Sequence, residues 1–504
     1  MPTTAEMASL DRRAIEQAIP ERALIENAGR ALAHRLQARW PEGPVVALAG
    51  GGHNGADALV ALRTLRAWGR EVIAVRSGGA DPDPPVLDGW DIVLEPADYL
   101  ESALSAATVA IDGILGSGLS SAPREAQADI IGQLNASHCS VVACDGPSGV
   151  DFTTGAIPGA AVEADLTVTF GWPKLGMLRF PGRARCGDIE VVEIGFPPPS
   201  PVPRARLVTA AWVAAILGRR GDDAHKGRAG YVALVGGQPG MAGAIVLAAR
   251  AAIRGGAGVV RVVSAPENRE IVQTAVPAAV YVPWDDDEGV VEAVRSSSAV
   301  GLGPGLGTAD GRLELILSCL GSVREAACVF DADALNLWAG DVPGLAKILP
   351  PGSTLTPHPG EMGRLMGRDT DEVTADPMDA AAELAERTGA VVVLKGAPTI
   401  VAEPGGGLRV SSLVSPGFAA GGMGDVLTGL IAAHGGSGLG AADAATAALM
   451  ISGLATVSSP EPVGHSAEDV PDRLPAARAA LDTVEPGRTP GVLAALPAAR
   501  TTPS

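Results

Sequence analysis

The pattern of apolar and polar residues predicts a first α/β region. In residues 1–36 apolar side chains recur at helical spacing, most clearly in LIENAGRALAHRL (24–36). Short apolar runs follow and predict buried strands in VVALAG (45–50), EVIAV (71–75), DIVL (91–94), TVAIDG (108–113), SVVACD (140–145), DLTVTF (165–170) and IEVVEI (189–194). The helical pattern ADALVALRTLRAW (56–68) separates the first two runs. Apolar strands alternating with helices predict a parallel sheet covered on both faces.

The same alternation returns in the second half of the chain. Its predicted strands are YVALVGG (231–237), GVVRVVSA (258–265), AVGLG (299–303), ACVFDAD (327–333), STLTPH (353–358) and VVVLKG (391–396). Helical patterns include AGAIVLAARAAIRGG (242–256) and DVLTGLIAAHGG (425–436). The proline-rich segment FPPPSPVPR (196–204) predicts a stiff linker. We therefore predict α/β domains at 1–200 and 205–475, and a mobile tail at 485–504.

Composition narrows the class of protein. The 504 residues carry a formal net charge of −19, which argues against a nucleic-acid partner. The five cysteines show no C-x-x-C spacing, which favours a reducing cytoplasm over a disulfide or zinc framework. We expect no signal peptide and no membrane span, because no apolar run of the required length occurs. The only lysines are Lys174, Lys226, Lys347 and Lys395 in a chain that otherwise uses arginine, so each deserves a functional interpretation.

Polar clusters follow three strand ends of the first region. They lie in GGGHNGADAL (50–59), IDGILGSGLS (111–120) and CDGPSGVDFTTG (144–155). Any one of them could be explained by helix capping through Asp or Ser. Three at the carboxyl ends of strands in one sheet can converge on a single pocket, where carboxylates and amides hold a cation and polar ligand groups.

The order of these motifs resembles the NAD(P)H-hydrate epimerases over residues 1–200, together with DLTVTFGWPKLG (165–176) and GDIEVVEIGFP (187–197). The resemblance implies a Rossmann-like parallel α/β sandwich, a K⁺ ion held by Asn54, Asp112 and Ser148, and proton handling by Asp145. It further implies substrate contacts at His53, Asn54, Gly55, Ala56, Asp57, Gly116, Ser117, Gly118, Leu119, Ser120, Ser121 and Ala122. The sequence departs from the family pattern at His53, Ala56 and Ala58, where the family usually has Asn, Gly and Gly.

The second region carries motifs suited to phosphoryl chemistry. A glycine-rich turn runs into an apolar helix in SPGFAAGGMGDVLTGLIAA (415–433), with Asp425 in the first turn. Amide groups at such a helix start stabilise charge on phosphate oxygens, and a carboxylate can accept the proton of an attacking hydroxyl. No Walker-type GxxxxGK[ST] sequence occurs. Further candidates stand in DAHKGRAGYV (223–232), GLGPGLGT (301–308), VFDADALN (329–336) and TPHPGEM (356–362).

In this order the motifs resemble the ribokinase-like NAD(P)H-hydrate dehydratases over about 205–475. The resemblance implies a ribokinase-like α/β domain with Asp425 as the catalytic base and Mg²⁺ bound with the nucleotide. It implies hydrate contacts at Ala244, Gly305, Gly307 and His358, and adenine-nucleotide contacts at Lys395, Gly396, Ala397, Pro398, Thr399 and Gly424. Fused bacterial members use ADP, and the sequence leaves open whether this chain prefers ADP or ATP. The family tends to form homo-oligomers.

Three functional hypotheses follow. The first is a bifunctional repair enzyme that epimerises the R and S forms of hydrated NAD(P)H and dehydrates the S form with ADP. The second is a ribokinase-like small-molecule kinase. The third makes the first domain a binding or scaffold module only. The fusion of both motif sets favours the first hypothesis, because a stereospecific dehydratase needs an epimerase to supply the other isomer.

Overall fold

A computed structural model of the chain describes residues 1–17, 19–78, 86–116, 118, 121–199, 202–218, 229–309, 311–323, 325–459, 464–483 and 492–499. The chain forms two units, Met1–Ala205 with Pro486–Ser504, and Arg206–Glu485. The division falls at the end of the proline-rich segment 196–204.

The first unit is built on a sheet whose first seven strands are all parallel. Their bounds are β1 (Val45–Ala49), β2 (Val72–Arg76), β3 (Leu94–Glu95), β4 (Val109–Gly113), β5 (Ser140–Cys144), β6 (Leu166–Phe170) and β7 (Asp188–Val192). They lie in the order β7-β6-β5-β4-β1-β2-β3. The run DIVL contributes only its last residue to a strand, because the charged and exposed residues around it bury too little apolar surface.

Helices pack on both faces of this sheet, as the apolar strands predict. They are α1 (Thr4–Glu16), α2 (Glu21–Arg39), α3 (His53–Ala67), α4 (Leu100–Ala106) and α5 (Glu125–Ala136). One core joins α2 and α3 to β1, with Leu32 and Val45 fully buried. The other joins α4 and α5 to the opposite face, with Val46 and Ala110 fully buried. Alternate residues of β1 therefore serve two separate cores.

The second unit contains a ten-stranded sheet in the order β11-β10-β9-β12-β13-β14-β15-β16-β17-β8. The bounds are β8 (Ala205–Val208), β9 (Tyr231–Val235), β10 (Val259–Ser264), β11 (Val280–Pro283), β12 (Ala299–Leu302), β13 (Ala327–Phe330), β14 (Thr354–Leu355), β15 (Val391–Leu394), β16 (Ile400–Ala402) and β17 (Leu408–Ser411). Strands β9 to β15 pair in parallel, and β16 pairs antiparallel with both β15 and β17.

The helices of this unit are α6 (Ala210–Leu217), α7 (Ala242–Arg254), α8 (Arg269–Ala275), α9 (Asp287–Arg295), α10 (Arg312–Ser322), α11 (Asp333–Asn336), α12 (Val342–Ile348), α13 (Pro359–Met366), α14 (Thr370–Ala375), α15 (Pro377–Thr388), α16 (Met423–Gly436), α17 (Ala441–Val457) and α18 (Val470–Asp482). Helices α7, α16 and α17 are rich in Ala and Gly and pack closely: a Cβ at Gly429 of α16 would lie 2.0 Å from the carbonyl oxygen of Ala248 in α7.

The structure corrects the prediction of a mobile tail at 485–504. Within 485–504 the described residues include an eighth strand of the first unit, β18 (Val492–Leu496), which pairs antiparallel with β7. The run VLAAL has little strand propensity beyond its valine, so the backbone partners at the edge of β7 decide its conformation. Arg183 donates a hydrogen bond to the carbonyl of Pro497, and the amide of Ala498 donates to Asp188 at 2.7 Å.

Among the residues described, no helix is both long and apolar enough to cross a membrane.

Candidate active sites

The first site lies where the strand order of the first sheet reverses, between β1 and β4. Ligands of open α/β sheets bind beyond the carboxyl ends of strands at such a point. The backbone is tightly packed here: the amide of Gly50 donates to the carbonyl of Gly113 at 2.9 Å. A Cβ at Gly55 would lie 2.0 Å from the carbonyl oxygen of Gly50. Glycine at position 55 is therefore required for α3 to start directly after β1.

Asn54, Asp112 and Ser148 come together as predicted for a cation site. The Ser148 hydroxyl donates to Asp112 Oδ1 at 2.6 Å, and its amide donates to Oδ2 at 2.8 Å. Asn54 Nδ2 donates to the carbonyl of Leu115 at 2.9 Å, while Asn54 Oδ1 is buried with no partner among the described residues. Burial raises the pKa of Asp112 to about 6, although hydrogen bonds from Ser148 and Ile114 oppose the shift. The cluster offers oxygen ligands, and among the described residues no cation contributes to the shift in the pKa of Asp112.

A cavity of about 520 Å³ opens beside this cluster. Helix α1 forms part of its wall through Met7, Asp11 and Ile15. The predicted site residues that line it are His53, Asn54, Gly55, Asp57, Gly116, Gly118 and Asp145. Three clusters that are far apart in sequence therefore meet in one pocket.

Asp145 is held in place by a buried lysine. Its φ of +62° is in the left-handed region, which is rare for a residue with a side chain and common at functional sites. Oδ1 of Asp145 accepts hydrogen bonds from Lys174 Nζ and from the amide of Phe170 at 3.0 Å. Lys174 is fully buried and also donates to Thr169 Oγ1 at 2.9 Å. The carboxylate thus has a fixed orientation at the cavity wall.

Two further carboxyl groups share the cavity. Burial, followed by repulsion from Asp145 and Asp11, raises the pKa of Asp57 well above its usual value. Burial and repulsion from Asp145 likewise raise the pKa of Asp11 to about 6. The charge of Lys174 partly opposes both shifts, and Lys174 itself forms an ion pair with Asp145.

Not every predicted contact in the first unit reaches the cavity. Ala56 is fully buried in the core between α3 and the sheet and does not line the cavity. This corrects the prediction that Ala56 contacts the substrate. Ala58 is buried in the same way, and its Cβ packs against Gly113. The two alanines therefore fill the core instead of obstructing the ligand. Ser121 and Ala122 are exposed and do not line the cavity, while Ser117, Leu119 and Ser120 lie outside the described residues.

The second site lies at the reversal of strand order between β9 and β12. The turn after β12 has positive φ at Gly305 and Gly307, 59° and 79°. A Cβ at Gly305 would lie 3.1 Å from that of Ala244 in α7, which places these two predicted contacts side by side. The amide of Gly307 donates to Asp333 Oδ2 at 2.8 Å.

The start of α16 forms the centre of this site. Gly422 has a φ of +91°, and the next residues begin the helix with Asp425 in its first turn. A Cβ at Gly424 would lie 3.2 Å from Lys395 Nζ and 3.5 Å from Asp331 Oδ2. Burial, followed by repulsion from Asp331, raises the pKa of Asp425 to about 7. Asp425 is therefore poised to exchange a proton near neutral pH.

A network of charged side chains lies under this helix start. Lys395 Nζ is 2.7 Å from Asp331 Oδ1 and 3.5 Å from Glu361 Oε2. Thr428 Oγ1 donates to Asp331 Oδ2 at 2.8 Å. Burial opposes ionisation of Asp331, but attraction to Lys395 and these hydrogen bonds outweigh it and lower the pKa of Asp331. The ionised pair anchors β13 and β15 to α16.

His358 joins the network through Glu361. It caps α13, with Nδ1 accepting from the amide of Gly360 at 3.0 Å, and Nε2 lies 3.5 Å from Glu361 Oε1. Burial of the imidazole, opposed by Glu361, lowers the pKa of His358. About half of the side chain is exposed, so a ligand can reach the ring.

The predicted nucleotide-binding segment 395–399 is a turn that follows β15. Thr399 Oγ1 donates to the carbonyl of Gly396 at 2.9 Å, which closes the turn. Gly396 and Ala397 are exposed, whereas Pro398 is buried. The ammonium of Lys395 forms ion pairs with Asp331 and Glu361. The surface that this turn presents to a nucleotide therefore consists mainly of backbone. Lys226 lies outside the described residues.

Asp11, Thr169, Lys174 and Thr428 were missed as site residues. The scarcity of lysine was a signal for Lys174, and its use at a fully buried position beside a carboxylate agrees with that signal. Thr428 follows Asp425 by three residues, the helical spacing that places both side chains on one face of α16. Asp11 lies in α1, before the first polar cluster, and nothing in its local sequence distinguishes it from a surface carboxylate.

Comparison with known proteins matches two family models, a YjeF-related protein N-terminus over residues 21–176 and an NAD(P)H-hydrate dehydratase over residues 232–472. The bifunctional NAD(P)H-hydrate repair enzyme Nnr of Moorella thermoacetica is 36% identical over 468 residues, covering 87% of this chain and 88% of that protein. Its counterpart in Salinibacter ruber is 35% identical, covering 96% and 97%. A ribokinase-like superfamily protein from Enterococcus faecalis aligns with 56% of this chain and 97% of its own at a TM-score of 0.51 and 22% identity, which indicates a shared fold.

Proposed function

The chain belongs to the bifunctional NAD(P)H-hydrate repair enzymes, and from this premise we propose how its two sites divide the work. The first unit exchanges the R and S isomers of hydrated NAD(P)H. The second dehydrates the S isomer to NAD(P)H and converts ADP to AMP and phosphate. The observation that carries the proposal is the presence in one chain of the cavity of Asp145 and the helix start of Asp425.

In the second unit Asp425 is the catalytic base. It takes the proton of the C6 hydroxyl, whose oxygen forms a bond to the terminal phosphorus of ADP as the bond to AMP breaks. Phosphate then leaves C6, and loss of a proton from C5 restores the ring double bond. The amides at the start of α16 stabilise the charge on the transferred group. The turn of Gly305 and Gly307, with His358, holds the hydrate, and the turn 395–399 holds the adenine nucleotide.

Mg²⁺ neutralises the phosphate oxygens during such a transfer. Within the described part of the chain, no group of three acidic, histidine or cysteine side chains could hold a metal ion. This agrees with the usual binding of Mg²⁺ through nucleotide phosphates, water and at most one or two carboxylates. The metal would therefore arrive with ADP.

A K⁺ ion fits the cluster of Asn54, Asp112 and Ser148. The unpartnered oxygen of Asn54 and the raised pKa of Asp112 both indicate a place where a cation is favourable. When bound, K⁺ would supply positive charge close to the anionic substrate. Three residues that line the cavity, His53, Asp57 and Asp145, would orient the ring.

The five free, buried cysteines suit a reducing compartment. We therefore place the reaction in the cytoplasm.

A mixture of R and S hydrates tests the proposal. With ADP and Mg²⁺, we expect near-ultraviolet absorbance of the dihydronicotinamide to recover from both isomers. Recovery that stops at the S fraction would refute the epimerase and support the scaffold hypothesis for the first unit. A stable phosphorylated product with no recovered absorbance would support the kinase hypothesis for the second.

A further inference from the structure

Asp57 lies in the first-unit cavity with one carboxyl oxygen unaccounted for. Its side chain is 8% exposed, and Oδ1 is buried with no hydrogen-bond partner among the described residues. A buried polar atom without a partner is costly. A partner is therefore expected to come from the ligand that fills the cavity.

The charged surroundings of Asp57 separate it chemically from Asp145. The titratable groups that interact with it are Asp11 of α1, Cys144 at the end of β5, Asp145 and Lys174. Lys174 binds Asp145, which leaves Asp57 as a buried carboxyl with no cation in direct contact among the residues described. One carboxyl in an ion pair with a buried lysine and one with no cation in contact have different charged surroundings, which suits an acid–base pair.

Epimerisation at C6 requires such a pair. The C6 hydroxyl and the ring nitrogen N1 are bonded to the same carbon, so ring opening needs a base at the oxygen and an acid at the nitrogen. Asp145 satisfies the first need, because its orientation is fixed and its charge is held by Lys174.

We propose that Asp57 is the acid of the epimerase site, the proton donor to N1 that acts together with the base Asp145. This rests on the proposed epimerase function and adds a chemical role to a predicted contact. Asp145 takes the hydroxyl proton, the oxygen lone pair forms a carbonyl at C6, and the C6–N1 bond breaks with its electron pair moving to N1, which takes the proton of Asp57. After rotation about C5–C6, N1 attacks the other face of the carbonyl. Its proton returns to Asp57, and Asp145 protonates the new hydroxyl oxygen, so both carboxyls regain their starting states.

The decisive variant is Asp57→Asn in the full chain. An amide can donate a hydrogen bond but cannot give up a proton, so kcat for isomer exchange should fall by about 10²–10⁴-fold while KM changes by less than about threefold. A rise in KM with kcat unchanged would overturn the proposal and make Asp57 a binding residue only. Glu16→Gln, at an exposed position of α1, is the matched control and should leave exchange unchanged.

The pH profile supplies a second readout. Wild-type exchange should fall at high pH as Asp57 loses its proton. Asp57→Glu keeps an ionisable acid and should retain the alkaline limb, which Asp57→Asn should lose. An alkaline limb that persists in Asp57→Asn, or is absent from Asp57→Glu, would overturn the proposal. No exchange by the wild-type chain at any pH would instead refute the epimerase function itself.

Discussion

Lys395 Nζ lies 2.7 Å from Asp331 Oδ1, and this buried ion pair lies directly under Gly424 in the first turn of α16. The two residues follow the ends of β13 and β15, which are separated in the sheet by β14. The turn that follows β13 is strained, because Ala332, which lies between Asp331 and Asp333, has a φ of +47°. The same aspartate that anchors the lysine also repels Asp425. The two charges of the pair therefore act in opposite directions on the pKa of Asp425, the proposed catalytic carboxyl: Asp331 raises it and Lys395 lowers it.

Asp331→Asn should move the pH dependence of dehydration. Wild-type activity should rise with pH through about 7, the pKa of Asp425, because the base must be ionised. Loss of the Asp331 charge removes repulsion, lowers the pKa of Asp425 and shifts the rising limb to lower pH. Initial rates on the S hydrate from pH 5 to 9 would measure this. Glu372→Gln, at an exposed position of α14, should keep the wild-type limb. An unmoved limb in Asp331→Asn would exclude the coupling.

Asp425→Asn should lower the rate of dehydration by about 10²–10⁴-fold, because the amide preserves the shape of the side chain but cannot accept the proton. Isomer exchange in the first unit is the internal control and should proceed at the wild-type rate. The R to S ratio during incubation without ADP measures it. Undiminished dehydration would remove Asp425 from the mechanism.

The sequence predicted the parallel core of both sheets because those strands are short apolar runs. It did not predict β8, β11, β16, β17 or β18. Each pairs at or near a sheet edge, where mixed composition gives a weak signal and the available partner decides. The site was predictable where a polar residue lies at a strand end, as with Asp112, or where a glycine-rich turn leads into a helix, as with Asp425. Asp11 was not predictable, because its role depends on how α1 packs over the cavity. Ala56 was misassigned because helix periodicity turns it toward the core.

K⁺ should stabilise the first unit, since an ion that binds the folded state raises its unfolding temperature. Calorimetry of the full chain at constant ionic strength, with choline replacing K⁺, should show the rise for the wild-type protein. Asn54→Ala removes the unpartnered oxygen and should abolish the rise. Asp98→Asn, an exposed carboxylate of the same unit, should retain it. An equal rise in the unfolding temperature with choline would mean that the effect comes from ionic strength and not from a bound K⁺ ion.

The C-terminal strand should contribute to the stability of the first unit. Leu496 in β18 is 5% exposed, whereas Leu493 in the same strand is 57% exposed. Leu496→Ala should lower the free energy of unfolding by about 2 kcal/mol, and Leu493→Ala should change it by less than about 0.5 kcal/mol. Denaturant unfolding of both variants would compare them. Equal effects would show that β18 is not packed on the unit.

Lys174→Met tests whether the buried cation holds Asp145. Removing one partner of a buried ion pair leaves an uncompensated charge, which should cost about 3–5 kcal/mol of unfolding free energy. The double variant Lys174→Met with Asp145→Asn removes both charges and should recover most of the lost stability without recovering exchange. Because Lys174 also bonds Thr169 and the carbonyl of Phe170, a purely structural lysine would give equal losses in the single and double variants. Recovery of stability in the double variant alone would establish that the lysine acts through the carboxylate.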